Sequence, residues 1–181
     1  MKKATLVAAF SLAATVASAQ VPTPRPLELG IDAGVTIGLG DNTVTTIDIP
    51  VSAFRVGFPI SPRTSLEPKL TVHIATGNDV TITSYRGEVG LLYHLGSDRY
   101  PGAYQRAGLY VRPFLGIVGA SVEIDDEDES DSAGILGIGL GWKMPLVSRL
   151  STRLEANFAH QFGEGDGNEI GLLAGLSFFT R

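Results

Sequence analysis

The chain of 181 residues contains no cysteine. That excludes a disulfide framework, a catalytic thiol and thiolate-ligated zinc or haem. Beyond Ala19 there is also no stretch approaching the ~18 consecutive apolar residues of a membrane helix. If the remaining chain enters a bilayer, it must do so as a closed barrel, because only helices and closed barrels satisfy their backbone hydrogen bonds in lipid. A basic patch is missing too: 14 Lys+Arg face 19 Asp+Glu, a net charge of -5, so nucleic acid is not an expected partner. Histidine is sparse and scattered, at His73, His94 and His160, and no cofactor or metal site is expected. The glycine-rich stretches have no strand–loop–helix context, which argues against a phosphate loop.

What is present begins with an export signal. Lys2 and Lys3 precede an apolar stretch from Ala4 to Val16, and Ala17-Ser18-Ala19 forms the small-x-small pattern of a cleavage site. Residues 1–19 therefore read as a signal peptide, with the mature chain starting at Gln20. Residues 20–26 (QVPTPRP) read as an extended leader, and 27–181 as one domain.

Within that domain apolar residues alternate with small or polar ones, the period of a β-strand. Leu29, Ile31, Ala33, Val35, Ile37 and Leu39 oppose Gly30, Asp32, Gly34, Thr36, Gly38 and Gly40. Seven further segments follow: Ile47–Phe58, with a phase slip near Ala53 that predicts a bulge, Thr64–Ile74, Val80–Leu95, Gly108–Val122, Ala133–Met144, Arg149–Phe162 and Glu169–Phe179. The expected fold class is all-β: an eight-stranded antiparallel up-and-down barrel.

The two faces decide its surroundings. In a soluble barrel the polar face meets water and carries abundant charge. Here the polar faces of the first, sixth and eighth segments are mostly Gly, Ser and Thr. Charges elsewhere come as opposite-sign neighbours on one face: Glu67/Lys69, Arg86/Glu88 and Arg153/Glu155. That pattern suits a lumen network, with Arg112 joining it, and an apolar exterior facing lipid. Phe58, Tyr93, Trp142 and Phe178 all sit near the ends of even segments, which predicts an aromatic girdle at one interface. The 22 glycines, placed largely inside the strand-like runs, suit a crowded barrel interior.

The stretch Gly137-Ile-Gly-Leu-Gly-Trp-Lys-Met-Pro-Leu-Val-Ser-Arg-Leu-Ser-Thr-Arg-Leu-Glu155, with the terminal Gly171-Leu-Leu-Ala-Gly-Leu-Ser-Phe-Phe179, resembles the OmpA-like and opacity-type eight-stranded outer-membrane barrels. The resemblance implies an outer-membrane location in a Gram-negative-type envelope. It implies contact with outer-membrane lipid and with the barrel-assembly machinery, which reads a terminal aromatic. Here Thr180 and Arg181 follow Phe179, a departure from that ending.

Catalysis is not expected. Lipid A deacylases resemble this chain in size and place a His-x-Ser on the outer face, but the segment here is His160-Gln161-Phe162 and the hydroxyl nucleophile is missing. A narrow gated pore through the lumen and a soluble periplasmic binding barrel are the other readings. One segment stands apart: Glu123, Asp125, Asp126, Glu127, Asp128, Glu129 and Asp131 are seven acids with no base among them. It lacks the spacing and the glycine of an EF-hand and reads as a solvated surface loop. The expected role is structural, or surface contact through the loops.

Overall fold

A computed structural model describes residues 26–39, 45–77, 80–95, 107–124, 127–163 and 166–180. Residues 1–19 and nearly all of the leader lie outside the described residues, as do Asp125 and Asp126.

Eight strands form in chain order: β1 (Glu28–Leu39), β2 (Thr45–Pro59), β3 (Thr64–Gly77), β4 (Val80–His94), β5 (Gly108–Ile124), β6 (Glu127–Val147), β7 (Leu150–Gly163) and β8 (Gly167–Phe179). Each pairs antiparallel with the next, and β1 pairs with β8 from Glu28↔Phe179 to Leu39↔Asn168, closing the barrel. Closure removes the sheet edges that would otherwise leave backbone groups unpaired in lipid. The C-terminus reinforces it. Thr180 donates its N–H to the Leu27 carbonyl at 2.9 Å, and its hydroxyl accepts from the Leu27 N–H at 2.8 Å.

The alternation sorts onto two faces. Leu29, Phe54, Leu70, Val72, Leu115, Leu136, Ile138, Leu140, Leu154 and Leu172 are exposed, while the residues beside them in sequence include fully buried arginines and glutamates. This is the reverse of a water-soluble barrel. Phe58, Tyr93, Trp142 and Phe178 are exposed as well, near the end of the barrel where β1 begins and β8 ends, called the termini end below. Phe179 belongs to the opposite phase and lies against the Lys143 ammonium, 5.9 Å from its ring centroid. The terminal aromatic on the exterior is Phe178.

The irregularity of β2 spans several residues. Asp32 pairs with Ala53 and Gly34 with Asp48, so Ile49–Ser52 stand opposite Ala33 alone. Pro50 falls within this stretch and cannot donate to a ladder.

The acidic segment differs from the expected loop. The β5–β6 ladder runs without interruption to Ile124↔Glu127, so Glu123 belongs to β5, and Glu127, Asp128, Glu129 and Asp131 belong to β6. The sixth strand starts six residues before Ala133. Ladder hydrogen bonds join backbone groups, so a hairpin propagates past the last apolar side chain wherever water can solvate the charges.

Candidate functional site: the charged lumen

The barrel interior is the most concentrated chemistry in the molecule. Glu28 and Asp32 enter from β1, Arg55 from β2, Glu67 and Lys69 from β3, and Arg86 and Glu88 from β4. Tyr110 and Arg112 come from β5, Lys143 from β6, Arg153 and Glu155 from β7, and Glu169 from β8. All except Arg86, which is partly buried, are buried. They face inward because each occupies the phase opposite the apolar series of its strand.

The contacts form one connected network. Nearest the termini, Lys143 Nζ donates to both carboxylate oxygens of Glu28, at 2.7 and 2.6 Å. Glu28 also accepts from Arg55 Nη1 at 2.6 Å. Arg55 donates further to Asp32 Oδ1 (3.0 Å) and Ser177 Oγ (2.6 Å). Arg153 grips Glu67 with Nη1 at 2.8 and 3.0 Å and reaches Asp32 Oδ2 with Nη2 at 2.9 Å. Arg112 places Nη2 2.7 Å from Glu155 Oε1 and Nη1 3.1 Å from Glu88 Oε2. Its guanidinium carbon lies 4.6 Å from the Phe114 ring centroid, a cation–π contact. Tyr110 donates its hydroxyl proton to Glu155 Oε2 at 2.8 Å. Lys69 Nζ and Arg86 Nε both reach Glu88, at 2.9 and 2.6 Å, and Arg86 Nη1 lies 2.5 Å from Glu169 Oε1.

Six cations (Arg55, Lys69, Arg86, Arg112, Lys143, Arg153) therefore meet six carboxylates (Glu28, Asp32, Glu67, Glu88, Glu155, Glu169), and the network is neutral. Neutrality matters because an unpaired charge in a water-poor interior is costly. Glycines let the large side chains fit. A Cβ on Gly90 would meet Arg112 Nη1 at 2.8 Å, and one on Gly139 would meet Glu155 Oε1 at the same distance.

The seven lumen charges expected from the sequence all enter this network, but the same-face neighbours pair unevenly. Arg86 and Glu88 are direct partners. Arg153 and Glu155 are 3.8 Å apart, and each has closer partners elsewhere. Glu67 pairs across the lumen with Arg153, and Lys69 pairs with Glu88 on the adjoining strand. Residues i and i+2 are separated by roughly 6.6 Å of strand rise, whereas barrel closure brings other strands within side-chain reach. Glu28, Asp32, Arg55, Lys143 and Glu169 join the network beyond the seven charges that the sequence pattern points to. The signal for Arg55 was available: it stands between the outward Phe54 and the outward-phase Val56.

Part of the lumen is apolar. Phe114, Ile135 and Ala159 form a buried cluster with Val118 packed against it. Ile135 is fully buried and lies one residue before the lipid-facing Leu136. The described residues contain no group of three or more His, Asp or Glu arranged to hold a metal ion.

An apolar exterior around a paired, charged interior is the architecture of a membrane barrel. The outer membrane protein beta-barrel domain family matches residues 4–178. The chain belongs to that family. As an outer-membrane barrel it is similar in fold to Neisserial surface protein A, with a TM-score of 0.64 and 13% identity over 84% of this chain and 96% of that one. It is also similar to Ail, the attachment invasion locus protein of Yersinia pestis, with a TM-score of 0.53 and 11% identity over 87% of this chain and 100% of that one. Ail in complex with the heparin analogue sucrose octasulfate gives a TM-score of 0.54 at the same identity and coverage. At these identities the likeness is one of fold. No curated protein sequence matches the chain.

Proposed function

We propose that this is a plugged, non-catalytic outer-membrane barrel whose work is done outside the membrane, by the end opposite its termini. The carrying observation is the neutral lumen network. Its ion pairs run from Lys143 and Glu28 near the termini to Arg86 and Glu169, with Arg153 and Glu155, 3.8 Å apart, joining the two hydrogen-bonded halves, so the interior serves as a core. An eight-stranded lumen is about wide enough for side chains to fill.

In this reading the signal peptide is cleaved before Gln20 and both termini face the periplasm. The aromatic set Phe58, Tyr93, Trp142 and Phe178 then lies at the inner interface. The far end carries the β5–β6 hairpin and the connections that contain Asp41, Asp79 and Glu164. Its acidity argues against a polyanion, such as the heparin analogue bound by Ail, as the ligand class here. Against the lipid-modifying alternative, His160 is exposed with Asn168 Oδ1 3.1 Å from its Nδ1 and Asp166 Oδ1 3.5 Å from its Nε2. Neither partner is a nucleophile of the hydroxyl type.

The test uses the lack of native cysteine. Ser130→Cys, at an exposed site of β6, is labelled on intact cells by a membrane-impermeant maleimide. Ser61→Cys, in the β2–β3 turn, is labelled only after the outer membrane is breached. In planar bilayers the purified protein should show no conductance steps, and it should release no fatty acid from outer-membrane lipid. Labelling of Ser61→Cys alone on intact cells, steady channel openings, or fatty-acid release would each overturn the corresponding part of the proposal.

A further inference from the structure

The connections at the termini end share one order of residues. The β2–β3 turn reads Ile60-Ser-Pro-Arg63, and the end of β6 with its turn reads Leu146-Val-Ser-Arg149. Each sets an aliphatic residue three positions before an arginine. The β4–β5 connection opens in the same way, with Leu95 ahead of Arg99. The exposed aromatics Phe58, Trp142 and Tyr93 precede them in the chain. The order aromatic, aliphatic, arginine therefore occurs three times at one end of the barrel.

The aliphatic residues are not turned inward. Ile60 is 56% exposed, Leu95 53%, Leu146 54% and Val147 62%. Ile60 and Leu146 continue the outward phase of Phe58 and Trp142, and Leu95 that of Tyr93. The lipid-facing surface thus runs past the aromatic girdle and into the turns. The backbone there is well satisfied. Ile60 and Ser61 donate their N–H groups to the Thr64 carbonyl at 2.9 and 3.1 Å, and Arg63 donates to Ser61 Oγ at 3.1 Å. The Arg63 carbonyl accepts from His94 N–H at 2.9 Å, and the Arg149 carbonyl from Phe179 N–H at 3.0 Å. A turn bonded in this way can lie at a membrane interface. The Arg63 side chain is exposed and that of Arg149 half-buried.

Charge decides which molecule covers these turns. The connections at this end contain Arg63, Arg99, Arg106 and Arg149 against one acid, Asp98. A soluble acid would match the arginines and leave the aliphatic residues in water. A zwitterionic lipid would cover the aliphatic residues and bring a phosphate already paired with its own cation. A lipid of net negative charge meets both demands, and a guanidinium suits a phosphodiester in charge and in geometry.

We propose that the two termini-end turns, residues 60–63 and 146–149, bind anionic phospholipid, with the phosphodiester on Arg63 or Arg149. The first carbons of the acyl chains then lie on Ile60 or on Leu146 and Val147. The connections at the far end contain no lysine or arginine, so this selectivity belongs to one end of the barrel. It is independent of the surface contact proposed for the other.

The purified mature protein is placed in phosphatidylcholine nanodiscs whose two leaflets are alike, so the result does not depend on which end faces outside. Trace spin-labelled phosphatidylglycerol or phosphatidylcholine reports relative association by electron paramagnetic resonance. Phosphatidylglycerol should be preferred roughly fivefold, and the preference should fade in about 1 M salt. A nitroxide near the headgroup of phosphatidylglycerol should broaden the NMR amide signals of Ile60, Arg63, Val147 and Arg149 more than the same label on phosphatidylcholine. The Arg63→Gln/Arg149→Gln variant should lose most of the preference, and Arg63→Lys/Arg149→Lys should keep it. Heat-dependent gel migration shows that each variant is an intact barrel. Equal association of the two lipids with the unaltered protein would overturn the proposal. So would an undiminished preference in the glutamine variant, or broadening that spares the two turns, which would place them in water or the lipid elsewhere.

Discussion

At the scale of the residue, adjacent positions have opposite solvents. Ile138 is exposed on the lipid side in mid-β6, and Gly139 beside it faces Glu155 across the crowded interior. Ile138→Arg should destabilise the barrel by roughly 2–4 kcal/mol if it lies near the bilayer midplane. Gly139→Ala should cost about 1–3 kcal/mol by overpacking. Urea unfolding in bilayers of two thicknesses separates them, because only the Ile138→Arg defect depends on depth in lipid. Within the network, Arg153→Ala leaves Glu67 and Asp32 without their shortest partner and should cost roughly 3–5 kcal/mol. Arg153→Met should cost no less, since the carboxylates stay behind. An unchanged unfolding midpoint for both variants would mean that water enters the lumen and solvates the charges.

At the scale of the element, the strands are not equally held. β5, β6 and β7 share long uninterrupted ladders, from Gly108↔Lys143 to Ile124↔Glu127 on one side and from Ala133 to Pro145 on the other. The β2–β3 seam is registered at Phe54↔Leu70, Arg55↔Lys69, Phe58↔Leu66 and Pro59↔Ser65 among the described residues, with no registered pair beyond Leu70. β2 also carries the Ile49–Ser52 irregularity. Amides with fewer ladder bonds open at lower free energy. Hydrogen exchange in detergent should therefore be fastest in β2 and slowest in β5–β7. Uniform protection around the barrel would show that the seam is closed in solution.

At the scale of the whole molecule, charge is layered. The lumen network of six cations and six carboxylates is neutral. The connections at the termini end contain Arg63, Arg99, Arg106 and Arg149 against Asp98, while those at the far end, with the β5–β6 tip, hold acids and no lysine or arginine. Attraction of ions to that end is a field effect and is screened by salt. A closed ladder with a paired interior also predicts high resistance to detergent. Unboiled samples should migrate as a compact band in SDS and boiled ones as an expanded chain. Identical migration would show that the barrel opens in SDS without heat.

The sequence by itself determined the fold class, the number of strands and which face meets lipid. Those follow from period-two alternation, and the alternation is local: Leu29 through Leu39 or Leu136 through Trp142 state their phase without reference to any other strand. The inward phase of Glu67, Arg86, Glu88, Arg112, Arg153 and Glu155 was legible for the same reason. Only the tertiary structure decided who pairs with whom. Glu67 and Arg153 are 86 positions apart, and Lys143 and Glu28 are 115 apart; the shear and closure of the barrel bring them together, and neither is written in one strand. The same holds for the acidic segment. Seven acids in nine residues read as a solvated loop because charge density reports solvent, while backbone pairing reports the neighbouring strand. Among the described residues Ile124↔Glu127 continues a ladder that β7 does not follow beyond Gly163, because backbone pairing needs only a neighbouring strand and not an apolar side chain.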